Sequence, residues 1–181
     1  RGAIVAPKTG RLSSKMKMKI FIATMAASAV LLGTALLYST SSSKAPEATF
    51  VLLDGSLRTA NDFRGKVTLV NFWATSCATC VAEMPMIVRA HEKYRSRGYE
   101  TLAVAMSYDP PSYVVNFAST RKLPFAVALD NTGAAAKAWG DVKVTPTTFV
   151  VNKRGNIVKR YVGKPNFDEL DKLIEELLAE T

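Results

Sequence analysis

The chain has 181 residues, 48% of them hydrophobic and 22% charged, and only two cysteines. That composition excludes a disordered chain, a collagen-like repeat and a disulfide-stapled mini-protein. The formal charge of +9 points toward nucleic acid until it is divided: residues 1–45 hold seven basic and no acidic side chains, which leaves residues 46–181 at +2. A nearly neutral folded portion has no excess charge with which to track phosphates, so no nucleic-acid partner is expected.

The basic excess fits a targeting segment. Residues 1–19 form a basic N-terminus, and residues 20–38 (IFIATMAASAVLLGTALLY) carry no charge. As a helix rising about 1.5 Å per residue they span roughly 28 Å, close to the hydrocarbon thickness of a bilayer. Lys15, Lys17 and Lys19 precede the run, which puts the N-terminus in the cytoplasm and everything after Tyr38 across the membrane. A cleaved secretory signal ending at Ser43-Lys44-Ala45 is the alternative. The run is longer than the usual signal core of about 7–15 residues, and Pro46 would follow the cut. Both readings export the remainder. A buried helix of a soluble fold is disfavoured by a run apolar on every face beside a basic cluster. With no Cys near the run, lipid attachment is excluded. The chain opens on Arg1, and initiation is expected at Met16 or Met18. Residues 39–48 (STSSSKAPEA) read as a flexible linker. Residues 49–181 remain for one folded domain, enough to bury a single core.

Within that domain, residues 49–53 are β-prone and end at Asp54-Gly55, a turn signal. Residues 67–72 (VTLVNF) form an apolar run typical of a buried central strand. A helical pattern follows over residues 77–97, with Gly98 in a C-cap position. Residues 100–106 (ETLAVAM) predict another buried strand. After the Asp109-Pro110-Pro111 break, Ser112 can cap a helix reaching about Thr120. Residues 125–129 predict a strand and residues 134–139 a short helix. Residues 147–151 and 156–162 alternate around Asn152-Lys153-Arg154-Gly155, a hairpin signature. Residues 168–179 carry Leu170, Leu173, Ile174, Leu177 and Leu178 on one helical face. The order predicts an α/β fold with a mixed sheet, its parallel part covered by helices on both faces.

The two cysteines are Cys77 and Cys80, in Cys-Ala-Thr-Cys, directly after a strand and at the start of a helix. A helix N-terminus presents unpaired N–H groups and partial positive charge. Both favour thiolate, so Cys77 is expected to be the nucleophile and Cys80, about one turn on, the resolving thiol. A purely structural disulfide closing so small a loop stabilises little. Zinc needs four ligands, and besides the cysteines the chain offers one distant histidine, His91. No metal and no cofactor are expected. His91 stands in a polar stretch (Arg-Ala-His-Glu-Lys) and reads as a surface residue. The six methionines are dispersed, which gives little support to a copper relay.

The segment VTLVNFWATSCATCVAEMP over residues 67–85 resembles the active-site segment of thioredoxin-fold proteins. It is nearest the TlpA/ResA-type membrane-anchored thiol–disulfide oxidoreductases of bacteria. Val144-Thr145-Pro146 with the following strand resembles that family's cis-proline loop, and the hairpin around Gly155 with Gly163 resembles its closing hairpin. The resemblance covers residues 49–181. It implies a thioredoxin-like fold whose residues 109–129 are an extra helix–strand insertion, joined to an N-terminal transmembrane helix. It also implies redox work on the periplasmic side of the bacterial inner membrane. Cys77 and Cys80 would form a redox-active disulfide. Thr145, Pro146 and Trp73 would bind the substrate chain, with the Thr145 backbone supplying peptide-like hydrogen bonds and Trp73 packing beside the cysteines. Glu83 would aid proton transfer at the thiols, since a partly buried carboxyl exchanges protons near neutrality; its bland alternative is a solvated surface acid. Pro85 would kink the helix. The implied partners are exported proteins bearing thiols or disulfides, a membrane electron donor of the thiol-transfer type, and membrane lipid. The implied tasks are cytochrome c maturation or reduction of copper-site thiols.

Three positions depart from plain thioredoxins: Asn71 replaces a buried Asp, Ser76 replaces a Trp, and Ala78-Thr79 is an unfamiliar intervening pair. Two rival functions read poorly. A peroxiredoxin-like antioxidant peroxidase needs Pro and Thr in P-x-x-x-T-x-x-C; those positions hold Val70 and Ala74 before Cys77, and Trp73 and Cys77 before Cys80. A Sco-type metallochaperone needs a cysteine pair one residue wider and a distal His on a loop.

Overall fold

The computed structural model describes residues 43–180. Residues 1–19 and the apolar run at residues 20–38 lie outside them; among the described residues no helix is long and apolar enough to cross a membrane.

Among the described residues eight strands form one mixed sheet: β1 (Ser43–Lys44), β2 (Thr49–Leu52), β3 (Leu57–Thr59), β4 (Val67–Trp73), β5 (Tyr99–Ala105), β6 (Ala126–Leu129), β7 (Thr147–Val151) and β8 (Asn156–Val162). Their spatial order is β1-β8-β7-β4-β5-β6-β2-β3. β4, β5 and β6 run parallel, and β7 pairs antiparallel with both β4 and β8. The helices are α1 (Ala78–Tyr94), α2 (Pro111–Thr120), α3 (Ala134–Ala138) and α4 (Phe167–Ala179).

β4 is buried along its whole length, as its unbroken apolar run predicts. The two-residue period sends Val67, Leu69 and Trp73 to one face, where they pack with α1, α2 and α4 through Ile87, Val114, Leu170 and Ile174. Val70 and Phe72 point to the other face, beneath the short α3 and Trp139. The Trp139 ring lies 5.3 Å from Phe149, 6.0 Å from Phe50 and 6.2 Å from Phe72, centroid to centroid. Helices therefore cover both faces unequally: three on one, and on the other one short helix beside an aromatic cluster.

The predicted elements recur with small shifts. α1 ends at Tyr94, and a 3-10 turn over Arg95–Arg97 leads to Gly98, whose φ of 89° is the left-handed conformation expected of a glycine stop. Four features depart from the pattern read in the sequence. Ser43 and Lys44 of the expected linker pair with Ile157 and Asn156, and the Ala45 N–H donates to Gly155 O, so this stretch joins the sheet. β3 is too short to have shown a period. Ser112 is not a cap: α2 begins at Pro111 after Pro110, with no side-chain cap, because proline at the first turn forfeits no hydrogen bond.

The fourth concerns His91, which is 7% exposed rather than on the surface. Its ring packs against Phe125 at 5.4 Å and Tyr99 at 6.2 Å and faces the Pro124 carbonyl. The polar neighbours that suggested a surface lie on other faces of the helix. Burial, the largest influence, holds the His91 pKa below its ordinary value of 6.5. The unfolded chain then binds the proton more readily, so this group's contribution to stability is present above pH 6.5 and is lost as pH falls toward the lower folded value. Replacing His91 by Leu should remove that dependence. In urea titrations over acidic to neutral pH, wild type is expected to lose stability relative to His91→Leu as the pH falls; parallel curves would contradict this account.

Candidate active site

β4 ends at Trp73, and the chain turns into α1 through Ala74, Thr75, Ser76 and Cys77. The Cys77 N–H donates to Ala74 O at 3.1 Å, closing the turn. Cys77 is the N-cap of α1: its backbone is extended, and its Sγ accepts the Cys80 N–H at 3.2 Å. No acidic residue occupies the first turn, so nothing opposes the partial positive charge there. Cys77 and Cys80 are joined by a disulfide with their Cα atoms 5.2 Å apart. Cys77 is half-buried and Cys80 fully buried, so the first sulfur is the one an outside molecule can reach.

The turn is held from the neighbouring strand's loop. Asp109, beyond the end of β5, is buried, and its carboxylate accepts the Thr75 N–H and the Thr75 hydroxyl, each at 2.6 Å. Those short bonds to a charged acceptor pin the residue two positions before Cys77. The sequence marks Asp109 only as part of a proline break; an acid 34 residues distant in the chain carries no local signal of this clamp.

The Thr145–Pro146 peptide is cis, as the resemblance implies. The β4–β7 register pairs Phe72 with Thr147, which brings Pro146 to the same end of the sheet as the turn into α1. Pro146 O accepts the Gly163 N–H at 2.8 Å. The Thr145 Oγ1 shares a hydrogen bond of 3.2 Å with the hydroxyl of the exposed Tyr108. Neither main-chain group of Thr145 pairs with another backbone group among the described residues. A hollow of about 440 Å³ is lined by Thr75, Tyr113, Asn116, Phe117, Thr120 and Arg121.

Glu83 lies one turn after Cys80 and is fully buried, not solvated. Its Oε1 accepts from Asn71 Nδ2 of β4 at 3.1 Å, and the same nitrogen donates to Thr148 Oγ1 of β7 at 2.9 Å. Burial pushes the Glu83 pKa up from 4.5 to about 7, against smaller lowering effects of the Asn71 bond and the Lys164 charge. Trp73, expected beside the cysteines, packs in one cluster with them, 5.1 Å from the Phe117 ring. It is completely buried and offers a substrate no surface, so its contact is with the core. Pro85 lies inside α1.

The Redoxin family model matches residues 40–174. The chain is 30% identical over 134 residues to the thiol–disulfide oxidoreductase ResA of Bacillus thuringiensis subsp. konkukian, covering 74% of this chain and 76% of that protein. The chain belongs to the Redoxin family, as a ResA-type thiol–disulfide oxidoreductase. The ResA of Geobacillus thermodenitrificans is 32% identical over 135 residues, or 75% of this chain and 76% of the relative. A candidate thioredoxin from Neisseria meningitidis superposes with a TM-score of 0.72 at 38% identity, covering 77% of this chain and 93% of that one. A thiol:disulfide interchange protein of the thioredoxin family from Chlorobium tepidum gives 0.69 at 26% identity, covering 76% and 97%. The thioredoxin-like α/β fold expected from the sequence is thereby established, and so is the redox class of the cysteine pair.

The Asp109 clamp can be tested apart from the chemistry. Asp109→Ala removes both hydrogen bonds to the half-buried Thr75 and should lower the unfolding free energy by about 1–3 kcal/mol. Denaturant unfolding of the oxidised protein measures it, and an unchanged midpoint would show that Asp109 does not hold the turn.

Proposed function

We propose that this protein is a membrane-tethered, extracytoplasmic thiol–disulfide oxidoreductase that reduces disulfides of particular exported proteins. The observation that carries the reading is Cys77 at the N-cap of α1, with its sulfur receiving the Cys80 N–H. A thiolate there is stabilised by the same amides, which favours attack on a disulfide near neutral pH.

In the reduced enzyme the Cys77 thiolate attacks one sulfur of the substrate disulfide. A Cys77–substrate bond forms, and the other substrate sulfur leaves as thiolate. Cys80 then loses its proton to Glu83 and attacks Cys77 Sγ. The enzyme disulfide closes, and the second substrate sulfur departs. Two electrons pass from the dithiol to the substrate. Glu83, one turn from Cys80 and with a pKa near 7, suits a proton acceptor at neutral pH. Thr145 and Pro146 would line the substrate chain: the free main-chain groups of Thr145 can pair with an extended peptide, as an added strand does.

The tether rests on the uncharged run at residues 20–38 behind Lys15, Lys17 and Lys19. An exported compartment is kept oxidising, so sustained reduction requires electrons from a membrane donor of the thiol-transfer type. Cytochrome c maturation and copper-site thiols are the tasks this reading favours.

A Cys80→Ser variant expressed in cells should retain exported thiol proteins as mixed disulfides, and Cys77→Ser should retain none. The potential of the couple should lie nearer about −270 mV than the about −120 mV of a strong oxidant. A Cys77 thiol titrating near the free value of about 8.5, or mixed disulfides carried equally by Cys80, would overturn the assignment.

A further inference from the structure

Asn71 stands where three elements meet: β4, which carries it, α1 through Glu83, and β7 through Thr148. Its Nδ2 spends both hydrogens, one on Glu83 Oε1 and one on Thr148 Oγ1. Two atoms of the same pair of side chains, Asn71 Oδ1 and Glu83 Oε2, are buried without a hydrogen-bond partner among the described residues. If Glu83 is ionised, both are acceptors and neither can satisfy the other. A protonated carboxyl changes that. One O–H donated from Oε2 to Oδ1, opposite the existing Nδ2–H to Oε1 bond, closes a two-bond acid–amide ring and leaves neither atom orphaned.

We propose that Asn71 is a positioning residue that recognises the protonated form of Glu83 through this paired ring, holding in place the proton taken from Cys80. The inference rests on Glu83 as the proton acceptor of the resolving step. There Cys80–SH gives its proton to the Glu83 carboxylate, and the Cys80 thiolate forms the bond to Cys77 as the substrate thiolate leaves. The proton remains on Glu83 when the disulfide is closed. The Nδ2–H bond alone favours the carboxylate, whereas the second bond of the ring is open only to the acid, so the closed ring favours the product side of the transfer. Thr148 takes the amide hydrogen that points away from the ring and fixes the plane of the amide. The groups that act on Glu83 are Asn71 from β4 and the positive charge of Lys164 beyond β8, which favours the carboxylate and opposes the ring; Cys80 stands three residues earlier on the same helix.

Glu83→Gln tests the geometry, because its amide copies the acid's pattern: Nε2–H replaces Oε2–H, and Oε1 still accepts. In a crystal structure of oxidised full-length Glu83→Gln, Gln Nε2 should lie within hydrogen-bond distance of Asn71 Oδ1. In isotope-edited infrared spectra of the oxidised full-length wild type below pH 7, a protonated-carboxyl band should be present. It should be absent in Glu83→Gln and displaced to higher frequency in Asn71→Leu. Single-turnover resolution of a mixed disulfide reads the catalytic side: Glu83→Gln should slow it about 100-fold, and Asn71→Leu about tenfold with a displaced pH profile. An amide turned away from Oδ1, or a band unmoved in Asn71→Leu, would overturn the ring even where Glu83→Gln is slow. A normal rate in Glu83→Gln would instead remove Glu83 as proton acceptor while leaving the spectroscopic result intact. Should Asn71→Leu fail to fold, the Glu83→Gln crystal structure decides alone.

Discussion

Where β4 gives way to α1, the first amides of the helix have no carbonyl behind them, and Cys77 places a sulfur at that gap. A full turn of helix is needed before Cys80 can reach back, which is the separation that lets both sulfurs bond with their Cα atoms 5.2 Å apart. The remainder of the site acts on this junction from outside. Asp109 holds the turn through Thr75, and the cis Thr145–Pro146 segment occupies the same end of the sheet. The buried β4 supplies the rigid base from which the turn departs. A reactive sulfur on a loop free to fray would lose the amides that stabilise it.

Burial divides the labour between the two cysteines. The half-buried Cys77 can meet a partner, whereas Cys80 is enclosed and meets only Cys77 and what surrounds it. An enclosed thiol cannot pass its proton to water, so the step in which it becomes a nucleophile needs a buried acceptor. In the proposed mechanism Glu83 is that acceptor, one turn along the same helix and held near balance between its two states at neutral pH. A surface carboxylate would remain ionised and would be too weak a base to serve. The burial of Glu83 is the observation from which the proposed role is argued.

Much of this was legible because it is local. A Cys-x-x-Cys after an apolar strand and before a helical period is a contiguous signal, and so are the terminal amphipathic helix and the hairpin at Gly155. What escaped is non-local or depends on which face of an element is covered. Ser43 and Lys44 have no β period of their own and become strand only because β8 offers an edge. Asp109 clamps Thr75 across the gap between β4 and β5, a juxtaposition the parallel pairing creates. Asn71 stands out in the sequence only as a missing acid, and its bonds to Glu83 and Thr148 depend on how β4 meets α1 and β7. Trp73 sits next to the cysteines in both sequence and space, yet strand alternation turns it inward.

His91 and Glu83 show how one cause yields opposite consequences on one helix. Both are buried on α1, and desolvation biases both toward the neutral form. For His91 that means releasing a proton, so the folded state is favoured as pH rises. For Glu83 it means keeping one: its folded pKa is raised, and its stabilising share is full below about 4.5 and lost as pH rises through about 7. The partners decide which of the two can do chemistry. His91 faces aromatic rings and one carbonyl, with Nδ1 unpartnered, and nothing near it exchanges protons during disulfide transfer. Glu83 faces an amide whose donor suits the carboxylate and whose unused oxygen suits the acid, one turn from a sulfur that must lose its proton. A titratable group becomes part of the mechanism when its surroundings can accommodate both of its states; burial alone provides only one.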